Sequence, residues 1–135
     1  MIRKIGLAAA ILAIGLSACA GALAEGSLEG TAWKLISYGG NPVLPGSEPS
    51  LSFENGQLGG NATCNTFGGD YQITGDKIIF GELFWTLMAC MDEDLMAQEQ
   101  AYMQILGGDM RYEIVDGQLF LQSANDQVLV FEPLN

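Results

Sequence analysis

Histidine is absent from this chain of 135 residues, and basic residues are scarce, with five Lys and Arg against sixteen Asp and Glu. The absence of histidine removes the commonest metal ligand, the usual general base, and every Ser-His or Cys-His arrangement for nucleophilic catalysis. Two of the five basic residues precede residue 19, where no acidic residue occurs, so the rest of the chain carries a net charge of −13. An acidic surface repels phosphate backbones, and we therefore expect no nucleic-acid partner.

The apolar run near the start of the chain, residues 5–16, has only twelve residues. A membrane-spanning helix needs about 18–20 apolar residues, so this run is typical of a signal peptide that is later removed. It follows Arg3 and Lys4 and leads into Leu16-Ser17-Ala18-Cys19. A Leu, two small residues and a Cys at this place resemble the lipobox of bacterial lipoproteins. The resemblance implies cleavage before Cys19, a diacylglycerol on its sulfur and an acyl chain on its amine.

A second cleavage site competes with the lipobox. Ala22-Leu23-Ala24 is an A-x-A site, and cleavage after Ala24 would release a soluble periplasmic domain that begins at Glu25. Both routes export the protein. With lipidation, the expected location is the bacterial cell envelope, anchored to the outer membrane and facing the periplasm. Ala20 and not Asp follows Cys19, which in lipoproteins of enteric type implies sorting to the outer membrane. The predicted divisions are a lipoprotein signal peptide (1–18), a flexible tether (19–27) and one domain (28–135).

Short alternating segments separated by turn residues predict a mostly β domain. Asn55-Gly56 and Asp116-Gly117 are strong hairpin signals. The eight predicted strands are residues 31–38, 50–54, 57–63, 69–73, 77–80, 111–115, 118–122 and 128–132. Strands linked mainly by hairpins form an antiparallel sheet, which must curl or close to protect its edges.

Residues 92–106 form the one predicted helix. Asp92 is the expected N-cap, Glu93 and Asp94 lie in the first turn, and Gly107-Gly108 ends the helix. One helix cannot cover both faces of a parallel sheet, which argues against an α/β fold. The expected fold is therefore mainly β (α+β), an antiparallel, barrel-like curled sheet of about eight short strands with one helix packed on it.

Only three cysteines occur, and none stands in the Cys-x-x-Cys spacing of a redox enzyme. With Cys19 acylated, Cys64 and Cys90 remain as an even pair in an oxidising compartment, where a disulfide is favoured. Two buried free thiols and a metal pair are the alternatives. Two thiolates without histidine make a poor zinc site, so no metal ligands are predicted.

Three motifs in the order L-x-G-x-x-W-x-L, G-x-x-x-C-N-x-x-x-G-x-Y and T-x-M-x-C connect the chain to a known family. The first motif occupies residues 28–35. The other two place their defining residues at Gly60, Cys64, Asn65, Gly69, Tyr71, Thr86, Met88 and Cys90. In this order, and after a lipobox, the motifs resemble the META domain family, which includes the heat-shock-inducible HslJ-type lipoproteins of bacterial envelopes.

The resemblance implies a barrel-like β fold with one packed helix and a role at the envelope, linked in some members to stress or antibiotic tolerance. It implies no reaction. Asn65 is suited to holding a turn with its side chain, and Gly69 is expected to loosen its segment. The methionines that include Met88 and Met91 are interpreted as core fillers in preference to a Cu(I) site.

Three functions compete at this stage. The leading hypothesis is a membrane-tethered, non-enzymatic envelope module that binds an unknown envelope protein or surface component. The second is a small-ligand carrier in the periplasm, because a closed β-barrel of this size can hold one ligand. The third is an enzyme with a carboxylate pair, but no two acids lie in a recognisable motif. We predict no catalytic residue, no cofactor and no metal.

Overall fold

Ten strands and one helix make up residues 28–135, the part of the chain that the computed structural model describes. The predictions for the signal peptide, the tether and Cys19 concern residues outside this part. The strands are β1 (Thr31–Tyr38), β2 (Asn41–Pro42), β3 (Ser50–Glu54), β4 (Gln57–Asn61), β5 (Thr66–Thr74), β6 (Lys77–Phe80), β7 (Phe84–Trp85), β8 (Asp109–Val115), β9 (Gln118–Gln122) and β10 (Val128–Pro133). The helix is α1 (Glu93–Ile105).

Eight strands close into a ring in the order β1-β3-β4-β5-β6-β8-β9-β10, and β10 pairs back onto β1. Each pairing in the ring is antiparallel. The two short strands are additions to this ring, since β2 pairs with β1 and β7 pairs with β5. The predicted barrel-like antiparallel sheet of about eight strands is therefore confirmed as a closed barrel.

Turn chemistry explains why neighbouring strands pair in this register. Asn55 and Gly56 connect β3 to β4 with φ angles of 54° and 73°, and Asp116 and Gly117 connect β8 to β9 with 51° and 78°. Two consecutive positive φ values are typical of the hairpin turn whose twist matches the strands, and Asn-Gly and Asp-Gly are the pairs that adopt it most readily. Both predicted hairpins are confirmed.

Alternate residues of the barrel strands point inward and fill the interior. Large apolar side chains occupy the inward positions, and each is at most 1% exposed: Leu35, Leu51, Phe53, Ile78, Met110, Leu119, Leu121, Leu129 and Phe131. An interior packed in this way resembles the core of a small barrel more than a ligand chamber. These side chains occupy the part of the barrel that the carrier hypothesis assigns to a ligand.

The helix packs on the barrel through a central tyrosine. Asp92 is the N-cap, as predicted, and its carboxylate accepts from the N–H groups of Asp94 and Leu95 at 2.8 and 3.2 Å. The fully buried ring of Tyr102 contacts Phe67 and Phe131 edge-on, and burial raises its pKa. Within the described residues, no helix is long and apolar enough to cross a membrane.

Strand boundaries differ from the predictions around the second motif. The strand β4 ends at Asn61 instead of residue 63, and β5 begins at Thr66 instead of residue 69. The connection is tight because the N–H of Ala62 donates to the carbonyl of Asn65 at 2.7 Å. The prediction also missed β2 and β7, which have two residues each and lack the alternation on which strand prediction depends.

Candidate functional site

Residues of the second and third motifs, which both precede the helix in sequence, converge at one end of the barrel. Asn65 ends the tight connection between β4 and β5, and the segment from Thr86 to Cys90 runs beside it before the helix begins. The N–H of Thr86 donates to the carbonyl of Thr66 at 3.0 Å, which extends the β5–β7 pairing by one rung. Two motifs whose nearest residues, Tyr71 and Thr86, are separated by 15 positions in sequence therefore form one structure.

The side chain of Asn65 makes four hydrogen bonds and is only 4% exposed. Its nitrogen donates to the carbonyl of Met88 at 2.9 Å and to a carboxylate oxygen of Glu99. Its oxygen accepts from the N–H of Met88 at 2.6 Å and from the hydroxyl of Thr86 at 2.8 Å. An asparagine side chain has two donors and two acceptor positions, so its capacity is fully used.

Glu99 lies on the inner side of α1 and is 6% exposed. One carboxylate oxygen accepts from the backbone N–H groups of Cys64 and Asn65, at 2.6 and 2.9 Å, and the other accepts from the Asn65 side chain. A buried carboxylate is stable only when such donors replace water. Glu99 therefore acts as the acceptor that fixes the Cys64–Asn65 turn. This role of Glu99 was not predicted from the sequence.

A disulfide joins Cys64 to Cys90 across the same two segments, with Cα atoms 5.7 Å apart. This agrees with the predicted pairing and leaves the free-thiol alternative without support in the structure. The bridge lies one residue from Asn65 on one segment and two residues from Met88 on the other. Covalent and hydrogen-bonded links thus hold the same stretch of backbone.

Gln98 extends the network to a third segment. Its side-chain oxygen accepts from the N–H of Leu44 at 2.7 Å, and its nitrogen donates to the hydroxyls of Ser47 and Thr63 at 2.9 and 3.1 Å. Thr63 has a φ of 144°, a value that L residues rarely adopt, so this strained backbone is held by its neighbours. Gln98, a buried polar residue of α1, is therefore a structural anchor.

The motif glycines are required because other segments of the backbone approach them closely. A Cβ atom at Gly60 would lie 2.1 Å from the carbonyl oxygen of Ser50. A Cβ atom at Gly69 would lie 2.9 Å from the carbonyl oxygen of Glu82. The expectation that Gly69 loosens its segment is wrong, because its missing side chain allows tight packing in the middle of β5.

Tyr71, the last residue of the second motif, acts at another place. Its ring packs edge-on against Phe53 with centroids 4.9 Å apart, and its hydroxyl donates to Glu29. That hydrogen bond is the main reason that the pKa of Glu29 is lowered. Burial, followed by the Glu29 carboxylate, raises the pKa of Tyr71. Glu29 also accepts from the N–H groups of Asn55 and Gly56, so the pair ties the residues before β1 to the β3–β4 turn.

Cys64, Cys90 and Glu99 place possible metal-ligand atoms within 4.8 Å of one another. In the disulfide, however, neither sulfur is a thiolate, which is the form that binds metals. The remaining carboxylate already accepts three hydrogen bonds. In this state the three side chains hold the fold together, and the chemistry of the cluster is that of a structural anchor.

Residues 84–91, which we call the apolar segment, have exposed side chains, in contrast to the buried cluster of Asn65 and Glu99. Their backbone is fixed by the network, but Phe84 is 71% exposed, Leu87 91% and Met88 62%, while Met91 is fully exposed and Trp85 about half exposed. The interpretation of Met88 and Met91 as core fillers is therefore wrong. Their side chains point away from a barrel whose interior is already full. The apolar segment is therefore a candidate interaction surface.

The fold and the convergent motifs define a class, namely a small antiparallel β-barrel with one helix packed on it and a segment pinned by Asn65. Residues 26–135 match the sequence model of the META domain. The chain belongs to the META domain family. The family resemblance of the three motifs is thereby confirmed.

Two solved structures have similar folds. One, a protein from Burkholderia xenovorans solved by NMR, is 23% identical, with a TM-score of 0.68 over 99% of both chains. The other, also solved by NMR, is 24% identical, with a TM-score of 0.66 over 78% of this chain and 91% of its own. At these identities the likeness concerns the fold alone. Comparison with curated proteins found no match.

Proposed function

We propose that this META domain protein is a non-enzymatic, lipid-anchored module of the bacterial envelope that binds a protein partner through its apolar segment. The observation that carries the proposal is the exposure of Phe84, Leu87, Met88 and Met91 on a backbone that the Asn65 network and the disulfide hold in place. A preordered surface loses little conformational entropy on binding, which favours recognition.

The polar cluster behind the segment supports a binding role over a catalytic one. Asn65 uses its full hydrogen-bonding capacity within the protein, and both carboxylate oxygens of Glu99 accept from the Cys64–Asn65 turn. Groups that are saturated and buried in this way serve to position the backbone, whereas catalytic groups must reach a substrate. The proposed contribution of the cluster is therefore to present the apolar segment.

The leader supports the envelope location. Arg3 and Lys4, the twelve apolar residues and the lipobox at Cys19 predict export and acylation. A Cys19→Ala variant is expected to accumulate as precursor and to lose labelling by palmitate. Labelled variant protein would contradict the lipobox interpretation, and mature wild-type protein that begins at Glu25 would favour the A-x-A site.

Site-specific photocrosslinking in the native host tests the binding role. A photoreactive residue at Leu87, in the apolar segment, is expected to give a crosslinked product that mass spectrometry identifies as a protein. The matched control is the same residue at Leu134, which is also exposed but directly follows β10, opposite β5 in the ring of eight strands. Equal products at both positions, or none at Leu87, would contradict the proposal.

A further inference from the structure

We propose that the partner of the apolar segment is a cationic amphipathic polypeptide, in which apolar side chains are bordered by Lys or Arg. This inference rests on the proposed binding function and adds the chemistry of the partner. Two structural features support it: a groove beside Trp85 that suits one apolar side chain, and a border of acidic residues around the segment.

The groove lies between Trp85 of the apolar segment and α1. It has a volume of about 200 Å³ and is lined by Trp85 and by four helix residues, Glu99, Gln100, Met103 and Gln104. Most of its lining is apolar, and Trp85 is about half exposed at its edge. A pocket formed by an aromatic ring and a methionine suits an apolar anchor residue, the type of contact that dominates binding energy in protein interfaces.

Acidic side chains border the segment at both of its ends. Glu82 precedes it and lines a surface depression together with Asp70 and Phe84. Asp92, Glu93 and Asp94 follow Met91 directly, and all three are exposed. Protein interfaces usually have polar and charged residues around an apolar centre, and here the charged residues at both ends of the segment are acidic.

The basic residues of the described chain lie elsewhere. Lys34 is on β1 and contacts Glu48 at 3.8 Å, whereas Arg111 is on β8 and contacts Asp76 at 3.7 Å. Lys77, on β6, is opposite Arg111 in the strand pairing. The field at the apolar segment is therefore negative, and a partner with positive charges around its apolar residues is complementary to it.

The same charge argument disfavours two other occupants. A second copy of the chain would bring a second acidic border against the first, and like charges across an interface weaken association. An anionic bilayer surface would meet the same repulsion. A cationic polypeptide avoids both penalties, so the observations favour it.

Peptide binding to the processed protein, in a nonionic detergent, tests the inference. The probes are a short fluorescent amphipathic peptide of Leu and Lys and its counterpart with Glu in place of every Lys. We expect the Lys peptide to bind at least about tenfold more tightly than the Glu peptide, and added salt to weaken its binding. Equal or tighter binding of the Glu peptide would overturn the inference.

Matched variants locate the binding. Leu87→Ser is expected to weaken binding of the Lys peptide by about fivefold or more, since it removes an exposed apolar contact. Glu82→Gln combined with Glu93→Gln is expected to weaken it by about threefold to tenfold. Leu134→Ser is the control for Leu87→Ser, and Glu113→Gln combined with Glu132→Gln removes two exposed acidic charges on β8 and β10; both controls should change binding by less than about twofold. Equal effects of test and control variants would overturn the inference.

Two further measurements address the disfavoured occupants. A dimer that Leu87→Ser abolishes, seen by sedimentation, would assign the segment to a second copy. Quenching of Trp85 by brominated phosphatidylglycerol in proteoliposomes, absent in Trp85→Phe, would assign it to the bilayer. Either result overturns the inference. Crosslinking at Leu87 decides the binding function separately: a captured protein without basic amphipathic character would retain that function and reject only the partner chemistry.

Discussion

The side chain of Asn65 pairs with the backbone of Met88 as a neighbouring strand would. Its nitrogen donates to the Met88 carbonyl at 2.9 Å, and its oxygen accepts from the Met88 N–H at 2.6 Å. One amide side chain thereby supplies both bonds that a residue of a β-ladder exchanges with its partner. Residues 86–90 have no regular secondary structure, yet these two bonds anchor their backbone at Met88.

Asn65→Asp is expected to lower the free energy of unfolding by about 3 kcal/mol. The substitution keeps the shape but removes the donor to Met88 and places a second carboxyl group against Glu99. Urea unfolding measures the loss. Asn61→Asp is the matched control, because Asn61 is exposed and uses its side-chain oxygen to accept from Thr63, which Asp retains. Similar losses in the two variants would contradict the role of Asn65.

Two glycines in β4 give a sharp steric comparison. Gly60→Ala is expected to destabilise by about 3 kcal/mol or more, because its Cβ would lie 2.1 Å from the backbone oxygen of Ser50. Gly59→Ala should cost less than about 1.5 kcal/mol, since the nearest atom to its Cβ is 3.5 Å away. Thermal unfolding of both variants measures the difference. A Gly60→Ala protein as stable as Gly59→Ala would show that the strands can separate freely there.

Removing the Cys64–Cys90 bridge should lower stability by about 2–4 kcal/mol and the melting temperature by several degrees while the fold remains. The bridge spans a sequence separation of 26 residues, and its loss frees the unfolded chain. Melting curves of wild type and of the Cys64→Ala, Cys90→Ala double variant, with and without reductant, measure this. Reductant should have no effect on the double variant. Freely alkylated thiols in protein taken from the envelope would refute the bridge there.

The Glu29–Tyr71 hydrogen bond predicts a pH dependence with a definite sign. Because the pKa of Glu29 is lowered in the folded protein, its contribution is present above the ordinary value of 4.5 and is lost as the pH falls. Because the pKa of Tyr71 is raised, its contribution is present below 10.0 and is lost as the pH rises.

Tyr71→Phe tests this dependence, since Phe keeps the ring contact with Phe53 and removes the hydroxyl. The NMR-detected pKa of Glu29 should rise toward 4.5, and the variant should lose less stability than wild type between pH 7 and pH 3. Glu113→Gln, at an exposed position on β8, is the control. An unchanged Glu29 titration would exclude Tyr71 as its cause.

Local signals explain which parts of the fold were predictable. Asn55-Gly56 and Asp116-Gly117 specify their own backbone angles, and alternating apolar residues specify which side of a strand is buried. The helix was predicted to within a residue because Asp92 caps it through bonds to residues two and three positions away.

The site depends on contacts between distant residues, and these leave little local trace. Glu99 was missed because its partners, Cys64 and Asn65, lie more than 30 residues earlier. Met88 and Met91 were misplaced because an apolar residue is normally buried, and only the complete barrel shows that no interior space remains for them. The motif spacing identified Asn65, but the partners of its four side-chain hydrogen bonds could be assigned only from the structure.

The pairing of β1 with β10 has a consequence for the order of events when the chain folds. Trp33 lies opposite Pro133, so the two strands that close the ring come from opposite ends of the domain. Until β10 is available, β1 and β9 each keep an unpaired edge, and a contact between such distant residues forms slowly. We therefore expect the ring to close only after β10 has formed its bonds to β1 and β9. Without β10 the sheet keeps two open edges, and the addition of this one strand converts it into a barrel that has none.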